Sequence, residues 1–577
     1  MKIENQNAPQ QPMPEGFSNR KRLLIVSGFI GLIFLIIFIR LFYITLLSRP
    51  EDIRRRRPLP VTRLRGIIFD RNLFRMAISV QKYSIAIRPQ KIKGNINTFQ
   101  KDFLKPLSRI TLKSEEEILS IIEKYFKAKL VYLKRKITLT YNQRKLLNTM
   151  PGVILLKEYE RMYPYKSVAS HIIGITGRND KGLEGIEFKF DNILRQKYNI
   201  IGDNIVLSID RDIQKSVERD IAITVMREQA ESASVVIMNA KNGNIVAMAN
   251  YPNYDLNKFR NLSRKEYNLV SKNLAVQSSD EIGSAFKAFI IAILAELDLV
   301  DLKKEYDCKG FYQVEGGKLI RDVAVYGKIK FPRVVKVSSN VGMIEAAMTI
   351  PKKTYYNYLK LLGFMEKTGI DLPYENSKLF RKYELFRNQA RASVAIGQEI
   401  GVTPIQVATA ACALVNGGYL LKPRIVIAIR KPGGDVSKPG SEIRNPGSSV
   451  KKIDTIVKRK IFSKKSNDMV WYLLSQVMAS GGTGYRANIT VNGRKLNIVG
   501  KTGTAQVYDK KRGRYSQVLR NTSFLGFIKR PRNTYVVFVI VRKPMRAPDK
   551  STGSTIAVPL FRRIISNILD THGSRFP

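Results

Sequence analysis

Three kinds of apolar patterning divide the chain. The first is one long block: Leu23 to Ile39 carries no charge, follows Arg20-Lys21-Arg22, and resumes beyond Arg40 through Leu41 to Leu47. A stretch of that length can cross a bilayer as a helix. No small-residue cleavage site follows, so residues 23–47 are predicted to be an uncleaved signal anchor behind a polar tail of residues 1–22. No second run of this kind occurs, which places the rest of the chain on one side of the membrane. Arg40 inside the span is costly and is expected either to snorkel or to meet a partner.

The second kind is alternation. Met76 to Val80 and Tyr83 to Ile87 alternate as strands do. Asn204 to Asp210 predicts a strand and Arg211 to Gln229 a helix. Ser234 to Asn239 and Asn244 to Ala249 flank Asn242-Gly243, a strong hairpin signal. The third kind is helical. Residues 100–150 are amphipathic and rich in Lys and Glu, and Ala288 to Leu294 predicts a buried apolar helix led by Gly283. A new domain is expected to begin near residue 208, after a spacer that shows no site-like cluster. Residues 431–450, rich in Pro, Gly and Ser, are expected to be a surface insertion.

Composition narrows the chemistry. The chain has 577 residues, with 99 Lys+Arg against 47 Asp+Glu and a formal charge of +52. The basic residues are spread along its length and no nucleic-acid-binding motif accompanies them. Biased composition with attraction to an anionic membrane face or wall therefore fits better than nucleic-acid binding. Two cysteines, Cys308 and Cys412, exclude a disulfide framework and a Cys-rich zinc site. The two histidines, His171 and His572, have no acid or nucleophile near them in sequence. A Ser-His-Asp hydrolase and a His-ligated metal enzyme are both poor fits, so a serine enzyme here needs a lysine base.

Ser284 and Lys287 supply that pair. Three residues apart on a helix, they share a face, and a desolvated amine can take the serine proton. Ser-x-x-Lys is common in so basic a chain, and Ser18, Ser79, Ser448 and Ser449 also precede a Lys by three. None of those four leads into an apolar helix. Downstream, Ser338-Ser339-Asn340 follows a helical stretch, Arg333 to Val337. A Ser and an Asn spaced by one can relay a proton and bind an amide. Lys501-Thr502-Gly503-Thr504 follows the apolar Ile498-Val499-Gly500. A cation and two hydroxyls on a strand can hold a carboxylate, and Gly503 admits a close backbone. The look-alikes Ser271-Lys272-Asn273 and Lys367-Thr368-Gly369 lack those flanking elements.

Ser-x-x-Lys, Ser-x-Asn and Lys-Thr-Gly in this order are the motif set of penicillin-binding proteins and serine β-lactamases. The whole chain resembles a class B penicillin-binding protein, most nearly the septal peptidoglycan transpeptidase of cell division. The likeness includes the single anchor, Arg65-Gly66 to Arg71, Arg161 to Pro164, Leu207 to Asp210, Gly401 to Gln406, Gly482-Thr483-Gly484 and Ser523 to Phe527. Lys501-Thr502-Gly503-Thr504-Ala505-Gln506 resembles the division type, and Ile282 departs from the family's usual Pro.

The resemblance implies an α+β multidomain fold: an anchor, a pedestal over 48–207, and a transpeptidase domain over 208–577 with an antiparallel sheet sandwiched by helices. That sheet would be built from the 234–249 hairpin and three late strands, which Lys501 to Tyr508, Thr522 to Ile528 and Tyr535 to Val541 fit, and Ile556 to Leu569 fits a closing helix. It implies Ser284 as nucleophile, Lys287 as base, Ser338 as proton shuttle and Asn340 as orienter of a D-Ala-D-Ala stem peptide. Lys501, Thr502, Gly503 and Thr504 would bind the substrate, and the N–H groups of Ser284 and Thr504 would form the oxyanion hole. No metal or organic cofactor is implied. β-Lactams would be covalent inhibitors, and a polytopic septal glycan polymerase with other division proteins would be partners. The expected location is the bacterial cytoplasmic membrane, N-terminus inside and catalytic domain outside. A D,D-carboxypeptidase or β-lactamase-type hydrolase on the same scaffold is the alternative. A non-enzymatic scaffold is disfavoured because the motif residues are intact.

Overall fold

The computed structural model describes residues 19–42 and 64–572, apart from 95, 178, 196–200, 377–379, 433–449 and 510–511. Two compact units divide the chain at Val61 and Thr62. The first contains a helix, Asn19–Phe42, whose large apolar side chains from Val26 to Phe42 are exposed. Among the described residues no helix is long and apolar enough to cross a membrane. Residues 43–47 of the predicted span and 1–18 of the tail lie outside the described residues, as does most of the 431–450 stretch.

The second unit starts with a sheet whose central strand, Arg75–Ile87, is one strand and not the two expected. Gln81 and Lys82, the polar break in its pattern, remain in a continuous ladder opposite Tyr159 and Glu158 of the Val153–Met162 strand. The predicted helical stretch 100–150 is also interrupted, by the strand Val131–Ile137. Its β-branched ends pair with the edge of Arg75–Ile87, and pairing there overrides the Lys-rich helical composition. Helices on either side are well capped. Ser114 accepts from Glu117 N at the start of Glu115–Lys124, and Thr140 with Gln143 forms a capping box on Tyr141–Thr149. Phe99, Leu107, Ile118, Leu133 and Leu147 close a local core beneath these elements.

Three separated segments clasp the base of this sheet. Arg65 and Arg161 both bond the fully buried Glu187, Arg161 through Nε at 2.6 Å, and Arg161 Nη1 donates to Gly66 O at 2.9 Å. Asp191 accepts a further bond from Arg65. The sheet also reaches into later sequence: Val426–Arg430 pairs antiparallel with Asn204–Leu207, so a strand from beyond residue 208 completes a layer begun before it.

The second sheet has five antiparallel strands in the order Asn497–Asp509, Arg514–Lys529, Thr534–Arg542, Ser232–Asn239 and Ile245–Tyr251. The hairpin falls where its two apolar runs placed it, and the three late strands where the family resemblance placed them. Both faces are covered, which is why these strands read as nearly continuous apolar runs. Val235, Ile237, Val537 and Val539 face the helices Arg211–Arg227 and Val558–His572. Val236, Met238, Val536, Phe538 and Ile540 face a larger core containing Lys287–Glu296, Pro404–Cys412 and Lys464–Met478. Each fully buried side chain of this size contributes about 1.5–3 kcal/mol, so the edge strand Asn497–Asp509 is held rigidly against the helix that begins at Lys287.

Candidate active site

Ser284 lies in a four-residue 3₁₀ turn, Gly283–Phe286, and the α-helix begins only at Lys287. The helix was expected to start at Gly283. The tighter turn arises because Gly283 takes φ +54° and sits against the strand Asn497–Asp509: a Cβ there would be 2.2 Å from Thr504 O. Three residues per turn eclipse positions i and i+3, so Ser284 and Lys287 still share a side. Behind the turn, Phe286 and Phe289 pack on Phe364 with centroids 5.0 Å apart. In front, Arg542 grips Asp280 through Nε at 2.9 Å and Nη2 at 2.7 Å. The half-buried Ser284 is thus carried on a fixed corner.

Lys287 is fully buried. Its ammonium donates to Ser338 O at 2.8 Å, Ser339 O at 3.0 Å and Asn340 Oδ1 at 2.8 Å. Burial pushes its pKa down to about 7 against the opposing pull of Asp322 and Cys308. Among the described residues Ser284 is not one of its hydrogen-bond partners. Lys501, also fully buried, donates to Ser338 Oγ at 2.7 Å. Burial, and then the neighbouring Lys287, hold Lys501 well below the usual lysine range. Ser338 Oγ therefore stands between two amines, with Lys287 Nζ at 3.5 Å.

The Ser338 loop is positioned by strain and by an acid. Ser338 ends the helix Phe331–Val337 in the left-handed region, φ +63°, which costs a non-glycine residue about 1–3 kcal/mol and turns its hydroxyl toward the lysines. Asp322 opposes that strain. It accepts from Ser339 Oγ at 2.6 Å and from the Asn340 backbone N–H. Ser339 in turn caps the helix Asn340–Met348. Asn340 Nδ2 donates to Arg321 O at 2.9 Å, which leaves Oδ1 for Lys287.

The third wall is the edge strand. Thr502 Oγ1 donates to Thr483 Oγ1 at 2.8 Å, and Thr504 Oγ1 accepts from Gly553 N at 3.0 Å. Gly503 is required by contact: a Cβ would lie 2.2 Å from Ile282 O and 2.3 Å from Ser523 Oγ. The fold thus gathers every predicted site residue, Ser284, Lys287, Ser338, Asn340, Lys501, Thr502, Gly503 and Thr504, around one corner.

The look-alikes are used elsewhere. Thr368 donates to Glu375, and Asn273 donates to His171 O at 3.2 Å. His171 is buried with Nε2 on Val270 O at 2.7 Å, and burial lowers its pKa to about 4. Asp322 has no signal in the sequence at all. Thr483 could have been found from its Gly-Thr-Gly setting. Glu281 is a further residue that the motif reading passed over. Tyr515 Oη donates to it at 2.9 Å and Glu399 N at 3.0 Å, and burial pushes its carboxyl up to about 7.

Comparison with known proteins gives two family matches. The penicillin binding protein transpeptidase domain matches residues 233–566, and the penicillin-binding protein dimerisation domain matches residues 60–205. Stage V sporulation protein D of Bacillus subtilis is 30% identical over 96% of this chain and 86% of its own length. Peptidoglycan D,D-transpeptidase FtsI of Escherichia coli K12 is 25% identical over 91% and 87%. The crystal structure of penicillin binding protein 3 from Mycobacterium tuberculosis, complexed with aztreonam, shares the fold with a TM-score of 0.66 at 22% identity. That alignment covers 88% of this chain and 96% of the other.

Proposed function

The chain belongs to the class B penicillin-binding proteins, and from that premise we propose that it is a peptidoglycan D,D-transpeptidase acting through an acyl-enzyme on Ser284. The observation that carries this reading is the fully buried Lys287, three residues from Ser284 across the turn and without an ion-paired acid among the described residues; that burial lowers its pKa to about 7. Above pH 7 its amine has a lone pair. Ser284 Oγ attacks the carbonyl between the two terminal D-Ala residues of a stem peptide while Lys287 takes the proton. The N–H groups of Ser284 and Thr504 stabilise the oxyanion that forms. Collapse breaks the peptide bond, and the proton passes through Ser338, already bonded to Lys501, to the departing D-Ala amine. An amine from a second stem attacks the ester, and its proton passes by way of Lys287 to the departing Ser284 Oγ, which restores the serine hydroxyl and the neutral amine. Asn340 orients the peptide. Lys501, Thr502 and Thr504 hold the terminal carboxylate, and Gly503 lets the substrate lie against the strand. No step requires a metal or organic cofactor.

The finer reading is a septal enzyme, supported by Lys501 to Gln506 and by the likeness to FtsI; the likeness to a sporulation protein is the competing setting. We read 1–22 as a cytoplasmic tail, 23–47 as the anchor, 48–207 as the pedestal and 208–577 as the transpeptidase domain outside the membrane. The exposed apolar side chains of Val26 to Phe42 support the anchor. Arg40 supports a contact with a polytopic glycan polymerase.

Labelling with a fluorescent penicillin tests the core of the proposal. Wild type should form a stable adduct and Ser284→Ala none, with unchanged melting. An adduct on the variant overturns the nucleophile, and deacylation within seconds overturns transpeptidase in favour of a hydrolase. Exchanging residues 20–47 for an unrelated span should retain attachment but not division. Full complementation would reduce the span to a tether.

A further inference from the structure

The edge strand Asn497–Asp509 is not paired evenly along its length. As far as Gln506, opposite Arg520, it runs in antiparallel register with Arg514–Lys529. The next pair is Tyr508 with Tyr515, so the single residue Val507 faces the four residues 516–519. Ser516 Oγ closes this bulge by accepting from Leu519 N at 2.9 Å. A bulge breaks the ladder and re-aims the side chains beside it. The outer pairs, Tyr508 with Tyr515 and Asp509 with Arg514, are thereby cut off from the continuous part of the sheet.

Their support comes from the turn that carries Ser284. Tyr515 Oη donates to Glu281 Oε1 at 2.9 Å, between residues 234 positions apart. The Tyr508 ring meets Tyr515 edge to face, with centroids 5.4 Å apart. Burial raises the Tyr515 phenol above its ordinary pKa, so its proton stays on the oxygen and remains available to donate. Glu281 is itself held. Glu399 N donates to the same oxygen at 3.0 Å, and the Glu399 carboxylate accepts from Arg381 Nη2 at 2.6 Å and Ser393 Oγ at 2.8 Å. Gly283 N donates to Gly397 O at 3.1 Å. One carboxyl thus joins the nucleophile turn, the 397–399 loop and the bulged end of the edge strand.

We propose that Tyr515 is a positioning residue for acyl transfer: through Glu281 it clamps the bulged end of the edge strand to the turn bearing Ser284. The inference rests on the transpeptidase reading above. Glu281 precedes Ser284 by three residues and Tyr508 follows Thr504 by four, so the clamp brackets the two segments whose N–H groups take the oxyanion in that reading. On the inner side of Thr504 the same segments meet by close packing at Gly503 and by Ser523 Oγ donating to Ile282 O at 3.0 Å. The clamp fixes the outer side. Without it the strand can pivot about Gly503 and carry the Thr504 N–H off line. Lys501 and Thr502 lie before that pivot, bonded to Ser338 and Thr483, so their grip on a carboxylate is left in place.

The test uses the full-length protein in detergent, with rapid mixing against fluorescent penicillin to separate initial binding from the rate of acylation. Tyr515→Phe should lower the acylation rate about tenfold, less than the 10²–10³ for deleting an oxyanion donor because this one is only misaligned. Initial binding and melting should match wild type. Tyr508→Phe, which removes a hydroxyl from the same arm and keeps the ring contact, should acylate as wild type does. Glu281→Gln keeps an acceptor oxygen for Tyr515 and should stay within about threefold of wild type, the conservative rescue of the clamp. The clamp is overturned by a Tyr515→Phe rate within threefold of wild type, by a loss confined to initial binding, or by a lowered melting temperature in that variant. It is equally overturned if Tyr508→Phe or Glu281→Gln is as slow as Tyr515→Phe. Failure of wild type to form an adduct overturns the transpeptidase reading instead.

Discussion

The pedestal and the candidate active site each bury two cations, with opposite results. At the pedestal, Arg65 and Arg161 converge on Glu187, with Asp191 as a further acceptor. Burial works against the Arg65 charge, but Glu187 and Asp191 outweigh it, and its pKa rises. At the site, Lys287 and Lys501 are as deeply buried, yet their hydrogen bonds go to carbonyls, a hydroxyl and an amide. Among the described residues no carboxylate forms an ion pair with either, and both pKa values fall. A buried cation given an acid becomes a fixed structural charge. Denied one, it gives up its proton more readily, which is what the base role proposed for Lys287 requires.

The comparison is sharpened most by removing the base. Lys287→Met should cut the rate of penicillin acylation by about 10²–10⁴, the usual contribution of a positioned general base. It should not destabilise the fold near pH 6, because it also removes the cost of a buried charge. An acylation rate within threefold of wild type would break the assignment. At the pedestal the expected loss is one of stability. Glu187→Ala strands two buried guanidiniums and should cost about 3–5 kcal/mol in chemical denaturation, while the molecules that stay folded label normally.

The pH dependence separates the two regions further. Lys287 has its ordinary pKa in the unfolded chain and one of about 7 when folded, so between those values the unfolded state binds more protons. Stability should therefore rise with pH above 7, and the full penalty of charging Lys287 is present below 7. The acylation rate should climb through the same pH as the amine becomes neutral. Lys287→Met should reduce the stability rise and leave the part contributed by Lys501, whose pKa burial also lowers; an unaltered slope in that variant would assign the titration to Lys501 or another group.

What could be read in advance follows from range. Ser284 with Lys287, Ser338 with Asn340, and Lys501 with Thr504 are local patterns whose spacing survives in the chain, so they were legible one by one. In the five-stranded sheet the hairpin was legible as two apolar runs around Asn242-Gly243, buried on both faces, whereas the three late strands were placed by the family resemblance. Asp322 was not legible: its role exists only because the loop before Gly327 folds back to receive Asn340. The Arg65–Glu187 pair spans more than a hundred residues, and each end alone looks like a turn. The strand Val131–Ile137 was hidden by its lysines, since its conformation is set by its partner, Arg75–Ile87.

The smallest effect expected is at Glu281, where the rule drawn from the lysines applies with the sign reversed. Its carboxyl is pushed up to about 7 by burial, although Tyr515 Oη and Glu399 N donate to Oε1 and favour the ionised form. Oε2 is buried without a hydrogen-bond partner among the described residues. A raised carboxyl pKa means the folded state binds more protons between about 4.5 and 7, so the Glu281 contribution to stability falls over that range and the penalty is complete above 7. Glu281→Gln mimics the protonated form: its Oε1 can keep both donors, and its amide group takes the place of the proton-bearing oxygen. The variant should therefore match wild type at pH 4 and be the more stable of the two at pH 8, by about 1 kcal/mol or less, since the new amide hydrogens also lack partners. Denaturation curves of both proteins across that range are the check. A variant less stable than wild type at pH 8 would mean that Glu281 is ionised in the fold and that its two donors outweigh its burial.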